Sequence, residues 1–153
     1  MRRLNRALLR KLLGLSPTAW AELCAAQYAL IRAQILIWMR RRGELLAPSV
    51  PTPSAEPTER EVAPEVRRLA LAVERTAEYG LFRPTCLVRS VALQRMITSR
   101  GFTGSSVRVG VRLREGRLLA HAWVDYRGAV LADRAWEVSN FDELARMDVM
   151  QPS

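Results

Sequence analysis

Leu4, Leu8, Leu12 and Leu15 recur at the period of an α-helix, and Ser16-Pro17 then interrupts and restarts the pattern. Ser16 is placed to act as an N-cap and Pro17 to take the first helical position. The second helix is predicted over 17–42. Arg40, Arg41 and Arg42 complement its C-terminal dipole, and Gly43 ends it. Trp20, Leu23, Leu30, Ile31, Ile35, Ile37 and Trp38 make it apolar around much of its circumference, and a helix of that kind has to be buried against something.

The pattern then lapses. Pro48, Pro51, Pro53 and Pro57 are separated by Ser, Thr and Glu, the composition of an extended linker. Periodicity returns at Pro64 with an amphipathic helix (Val66, Leu69, Val73, Ala77) that stops at Gly80. A further helix is predicted over 86–100, stopped by Gly101. Val107, Val109, Val111 and Leu113 then alternate with Arg108, Gly110 and Arg112, which is strand periodicity. Arg114-Glu115-Gly116 reads as a turn, 118–126 as a second strand, Tyr126-Arg127-Gly128 as a second turn, and 129–133 as a third strand. A short helix is expected within 139–147. Helices followed by an antiparallel meander define an α+β fold. The expected organisation is a helical region over 1–46 that docks or covers, a proline-rich linker over 47–63, and a working domain over 64–153.

Composition narrows the class. The chain has 153 residues, about half hydrophobic and a quarter charged, which suits a globular domain with a core and excludes a disordered one. Its net charge is +9, almost all from arginine, and residues 1–42 hold nine basic side chains against one acid, Glu22. Such an arm can meet nucleic acid, a membrane surface or an acidic partner, or simply solvate a helix. Two cysteines without an export signal argue against a disulfide framework and for a cytoplasmic location. Glu22 and Arg32 interrupt the apolar stretch that would otherwise resemble a signal or a membrane span.

Three residues carry candidate chemistry. Cys86 falls in the first turn of its predicted helix, where unpaired N–H groups and the helix dipole stabilise a thiolate and can hold an oxyanion. Arg89, Ser90 and Leu93 share its helical face. His121, the single histidine, sits mid-strand, and Asp133 ends the next predicted strand. A three-residue hairpin loop at 126–128 would pair Asp125 with Ala129 and set His121 opposite Asp133, close enough for a carboxylate to orient an imidazole. A two-residue loop would put them on opposite faces. In a thiol hydrolase Cys86 is the nucleophile, His121 the base and then the acid, and Asp133 the group that orients the imidazole. Plainer roles stand beside these: a small core cysteine, a satisfied core histidine, a turn aspartate. One histidine and two cysteines, with Cys24 read as buried in another region, fall short of a zinc site, so neither metal nor cofactor is expected.

The runs Cys86-Leu87-Val88-Arg89-Ser90-Val91-Ala92-Leu93-Gln94-Arg95, Val107-Arg108-Val109-Gly110-Val111, Ala120-His121-Ala122-Trp123-Val124 and Val130-Leu131-Ala132-Asp133 resemble, in that order, the lasso-peptide leader peptidases, the B or B2 proteins. That family belongs to the transglutaminase-like, papain-related superfamily. The resemblance implies a cysteine endopeptidase that cuts a ribosomally made precursor between leader and core, freeing the core amine for an ATP-dependent lasso cyclase. It carries the triad onto Cys86, His121 and Asp133, and leaves Arg89, Ser90 and Trp123 as substrate-binding candidates. Leader recognition in the family belongs to a small winged-helix-like module. The N-terminal region here reads as purely helical, so a separate B1 protein is the expected partner. Two other classes compete: a catalytically inactive peptide-binding or scaffold protein of the same fold, and a basic nucleic-acid-binding protein. The arginine-rich arm has no interleaved aromatics or recognition motif, so nucleic acid is not expected as a partner, and membrane contact is disfavoured.

Overall fold

The computed structural model describes residues 16–39 and 62–147. The expected first helix at Leu4–Leu15, the end of the second at Arg40–Gly43, and the proline-rich linker up to residue 61 lie outside the described residues. The elements run α1 (Pro17–Met39), α2 (Pro64–Tyr79), α3 (Cys86–Ser99), β1 (Ser105–Arg114), β2 (Arg117–Tyr126), β3 (Ala129–Leu131), α4 (Ala135–Val138) and β4 (Asp142–Met147). This is an α+β fold, a four-stranded antiparallel sheet of order β3-β2-β1-β4 with α3 packed on it and α1 and α2 packed on α3.

Helix α1 starts where its punctuation says it should: Ser16 Oγ accepts from the Ala19 N–H at 3.2 Å, with Pro17 at the first turn. Ala26, Leu30 and Ala33 are fully buried in one cluster with Val66, Leu69 and Val73 of α2, Val91, Leu93 and Ile97 of α3, and Val107, Ala122 and Val124 of the sheet. Residues 17–39 therefore share a core with the rest of the described chain. Across α1 from that core, Trp20, Tyr28, Ile31, Ile35 and Trp38 are exposed, and so is Cys24, which the sequence pattern had placed inside. Helix α1 also closes the end of α2. Gln27 Oε1 accepts from the Leu81 N–H at 3.1 Å and passes so near Gly80 that a Cβ there would lie 2.3 Å from it. A Cβ at Gly80 would also lie 2.3 Å from the Thr76 carbonyl oxygen, so it is this crowding that calls for glycine after α2; its φ of −76° is open to any residue.

Besides ending β3 at Leu131 where the pattern predicts a strand to 133, the sheet departs from the sequence reading in two places. The β2–β3 loop has two residues, Arg127 and Gly128, with φ of 52° and 93°, and Tyr126 pairs with Ala129. Two left-handed residues match the twist of the flanking strands. Arg127 is held in that conformation by its N–H on Gly104 O (3.0 Å) and its Nε on Thr103 O (3.2 Å). Second, residues 142–147 form a strand rather than a helix, pairing with β1 through a bulge opposite Val109 and Gly110, and the short helix lies earlier, at Ala135–Val138. Arg108 reaches Asp125 (3.5 Å) on β2 and Glu143 (2.7 Å) on β4, tying both neighbours of β1 to it. Strands β3 and β4 are the two edges of the sheet, so residues 132–141 must cross one of its faces.

Because Leu30 is fully buried, Leu30→Ala should cost about 2–5 kcal/mol in urea unfolding, through lost burial and a residual cavity. A loss under about 0.5 kcal/mol, the size of a surface substitution, would mean that α1 merely rests on the rest of the fold.

Candidate active site

Alternation along β2 sorts its residues. Ala122, Val124 and Tyr126 belong to the cluster beneath the helices. His121, Trp123 and Asp125 therefore occupy the opposite face, the one that residues 132–141 cross. Gly110 on β1 pairs directly with His121, so both share this face.

With the observed two-residue loop, the β2–β3 register continued past Leu131 would set His121 opposite Arg134 and turn Asp133 to the other side. The ladder stops first. Ala132 has a φ of 55°, in the left-handed region that L-residues adopt at a cost, and this single residue swings Asp133 under the imidazole. Asp133 Oδ2 meets His121 Nε2 at 2.6 Å, while its Oδ1 accepts the Arg134 N–H at 3.0 Å. A carboxylate only accepts, so the contact fixes the imidazole proton on Nε2 and leaves Nδ1 as the basic nitrogen. The His121 and Asp133 side chains are 19% and 12% exposed, dry enough to strengthen the pairing and open enough for a substrate to reach it.

Cys86 opens α3 as the sequence indicates. Thr85 caps the helix, its hydroxyl accepting from the Val88 N–H at 3.5 Å, and the Cys86 thiol is free, half-buried and packed against the core beneath the helices. The Cys86 sulfur forms no hydrogen bond to His121 or to any other described side chain. The structure thus brings His121 and Asp133 together and sets the thiol at the helix N-terminus without joining it to them.

Arg89, Ser90 and Trp123 line one small recess with Leu93, Ala122, Val124, Leu131, Ala132 and Asp133. Their local situations differ. Ser90 is buried and donates to the Cys86 carbonyl oxygen at 3.0 Å, which is a bond within the helix. Trp123 is buried beside His121, the two ring centroids 6.3 Å apart. Arg89 is half-buried at the recess wall. Sequence reasoning missed Phe141, whose ring centroid is 5.3 Å from that of His121, because residues 139–147 read as a helix. Among the described residues, no three His, Cys, Asp or Glu side chains group as metal ligands, and no helix is long and apolar enough to cross a membrane.

Freed of its left-handed strain, Ala132→Gly should keep the His121–Asp133 contact and leave stability equal or higher. Ala132→Val should lose about 1–3 kcal/mol in urea unfolding, because a β-branched side chain resists that conformation. Equal stability of the two variants would mean that the left-handed turn does not form.

No curated protein and no solved structure matches the chain. A family model described as the transglutaminase-like superfamily matches residues 29–146, beginning inside α1 and ending in β4. That superfamily includes cysteine peptidases and transglutaminases, whose shared need is an activated thiol. The match spans more than half of the sequence and takes in Cys86, His121 and Asp133, and on that ground the chain belongs to the transglutaminase-like superfamily.

Proposed function

We propose that this protein is a cysteine endopeptidase that removes the leader from a ribosomally made lasso-peptide precursor. The observation that carries the reading is the 2.6 Å bond from His121 Nε2 to Asp133, which leaves Nδ1 as a base in a fold whose nucleophile position is filled by a free cysteine at a helix N-terminus. The runs around Cys86, His121 and Asp133 resemble the lasso leader peptidases, and this supports the precursor as substrate.

This reaction requires that substrate binding bring the Cys86 thiol within reach of His121, whose Nδ1 then takes the thiol proton as the sulfur attacks the scissile carbonyl carbon. Backbone N–H groups in the first turn of α3 receive the developing oxyanion. Collapse of the tetrahedral intermediate breaks the C–N bond. His121 returns the proton to the departing amine, which becomes the N-terminus of the core, and the leader remains as a thioester on Cys86. Water, deprotonated by the same nitrogen, hydrolyses the thioester and restores the thiol. Asp133 keeps the proton on Nε2 throughout and stabilises the imidazolium that forms between the two transfers.

The partners of this reading are a separate B1 protein that presents the leader and an ATP-dependent cyclase that consumes the core. The described part of the N-terminal region is a single helix, which supports recognition by a separate chain. A second reading, a peptide-binding or scaffold protein of the same fold, is favoured by the lack of a hydrogen bond between Cys86 and His121.

The reading is tested by mass spectrometry of precursor incubated with this protein and its leader-binding partner. A single cut is expected, and it should vanish in Cys86→Ala while the melting temperature stays near that of the parent. Cutting that survives undiminished in Cys86→Ala removes Cys86 as the nucleophile and sinks the reading, whereas precursor that is bound and never cut returns the protein to the scaffold reading. Asp133→Asn should lower kcat by about 10²–10⁴-fold, since an amide can donate to Nε2 and favour the wrong tautomer. Unchanged kcat in that variant would remove Asp133 from the mechanism.

A further inference from the structure

The histidine side chain has a broad torsion about Cβ–Cγ, so a hydrogen bond at Nε2 alone leaves the imidazole room to swing. Around His121 that room is closed from the face of the sheet that residues 132–141 cross. Trp123, two residues along β2, has its ring nearly parallel to the imidazole, at 20° and 6.3 Å between centroids. Phe141 covers the imidazole at 5.3 Å and 34°. Phe141 is itself held, its N–H donating to Val138 O at 3.0 Å and the Arg112 guanidinium carbon lying 4.6 Å from its ring centroid.

The strand residue opposite His121 explains how two large rings close over one imidazole. Gly110 pairs with His121, and a Cβ there would fall 2.9 Å from Phe141 Cβ, 3.0 Å from the Asp142 carbonyl oxygen and 3.0 Å from Trp123 Cη2. Any side chain at 110 would push Phe141 and Trp123 away. The two ends of the 132–141 crossing thus act on one ring: Asp133 binds its Nε2 edge, and Phe141 packs against it.

We propose that Phe141 is a positioning residue, which, with Trp123 and through the space left by Gly110, locks the His121 imidazole in the orientation that gives Nε2 to Asp133 and keeps Nδ1 available for proton transfer. Its kinetic consequence rests on the peptidase reading above; the orientation of the ring does not.

His121 is the only histidine, so nitrogen-15 NMR of the labelled full chain reports this ring without assignment. At a pH where the imidazole is neutral, the parent should show two well-separated ring nitrogens, one protonated and one bare. Phe141→Leu keeps an apolar side chain but removes the flat ring. It should draw the two signals together as orientations mix, and lower kcat for precursor cleavage by roughly 10–100-fold with KM unchanged. Phe141→Tyr keeps the ring and should restore both readouts. Separate nitrogen signals persisting in Phe141→Leu overturn the proposal, and so does a variant whose kcat and KM change only in step with a lowered melting temperature. If the parent leaves the precursor uncut while Cys86→Ala binds it equally well, the peptidase reading falls, and the nitrogen signals still decide the role of Phe141.

Discussion

The hydrogen bond between His121 and Asp133 joins a mid-strand residue to one that has just left the sheet, and its geometry depends on a single backbone conformation. Regular pairing between β2 and β3 would send Asp133 to the face opposite His121. The left-handed Ala132 ends the ladder and reverses that alternation. An L-residue in this region costs about 1–2 kcal/mol. That cost is offset by the charge-assisted contact at Nε2, by the Arg134 N–H on the second carboxylate oxygen, and by the start of the crossing to the far edge of the sheet. The short β3 strand therefore serves the site as much as the sheet.

That crossing connects the site to the architecture. Because β3 and β4 are opposite edges, the chain between them covers the face left open by the three long helices. Beneath it lie His121, Trp123 and Gly110, and beside them Arg108, bonded to Asp125 and Glu143. Arg108 and Asp125 are largely buried while Glu143 is exposed, and such a group adds little net stability because desolvation offsets attraction. Its value here is register: it fixes β2, β1 and β4 side by side at the level of the pairing on which the position of His121 depends. The helical layer does the complementary task, packing α3 on the other face and setting its N-terminus, with Cys86, at the edge of the core.

Helix α1 carries apolar residues toward both the core and solvent. Ala26, Leu30 and Ala33 account for one side, while Trp20, Tyr28, Ile31, Ile35 and Trp38 lie on the other. Its burial demand was legible in the sequence, but the absence of a polar face hid which side would be satisfied within the chain. The family match begins within this helix, in keeping with its membership of the common core.

The sequence by itself determined the three long helices and the first three strands, the α+β class, the capped starts of α1 and α3 and the two hairpins, because each depends on local periodicity, a cap or a glycine turn. It also singled out Cys86, His121 and Asp133, through residue chemistry and the order of the motifs. What only the tertiary structure decided were features that sequence-local rules cannot see. The β2–β3 loop length was set by Arg127 bonding to Thr103 and Gly104, more than twenty residues earlier in the chain. The strand character of 142–147 came from the free edge of β1, since a short segment with mixed polarity takes the structure its neighbour offers. Phe141 joined the site because the crossing ends beside a glycine that leaves room for it. His121 and Asp133 met by a route the alternation rule forbids, because one residue in a left-handed conformation outweighs the pleat when a strong hydrogen bond and a chain crossing both depend on it.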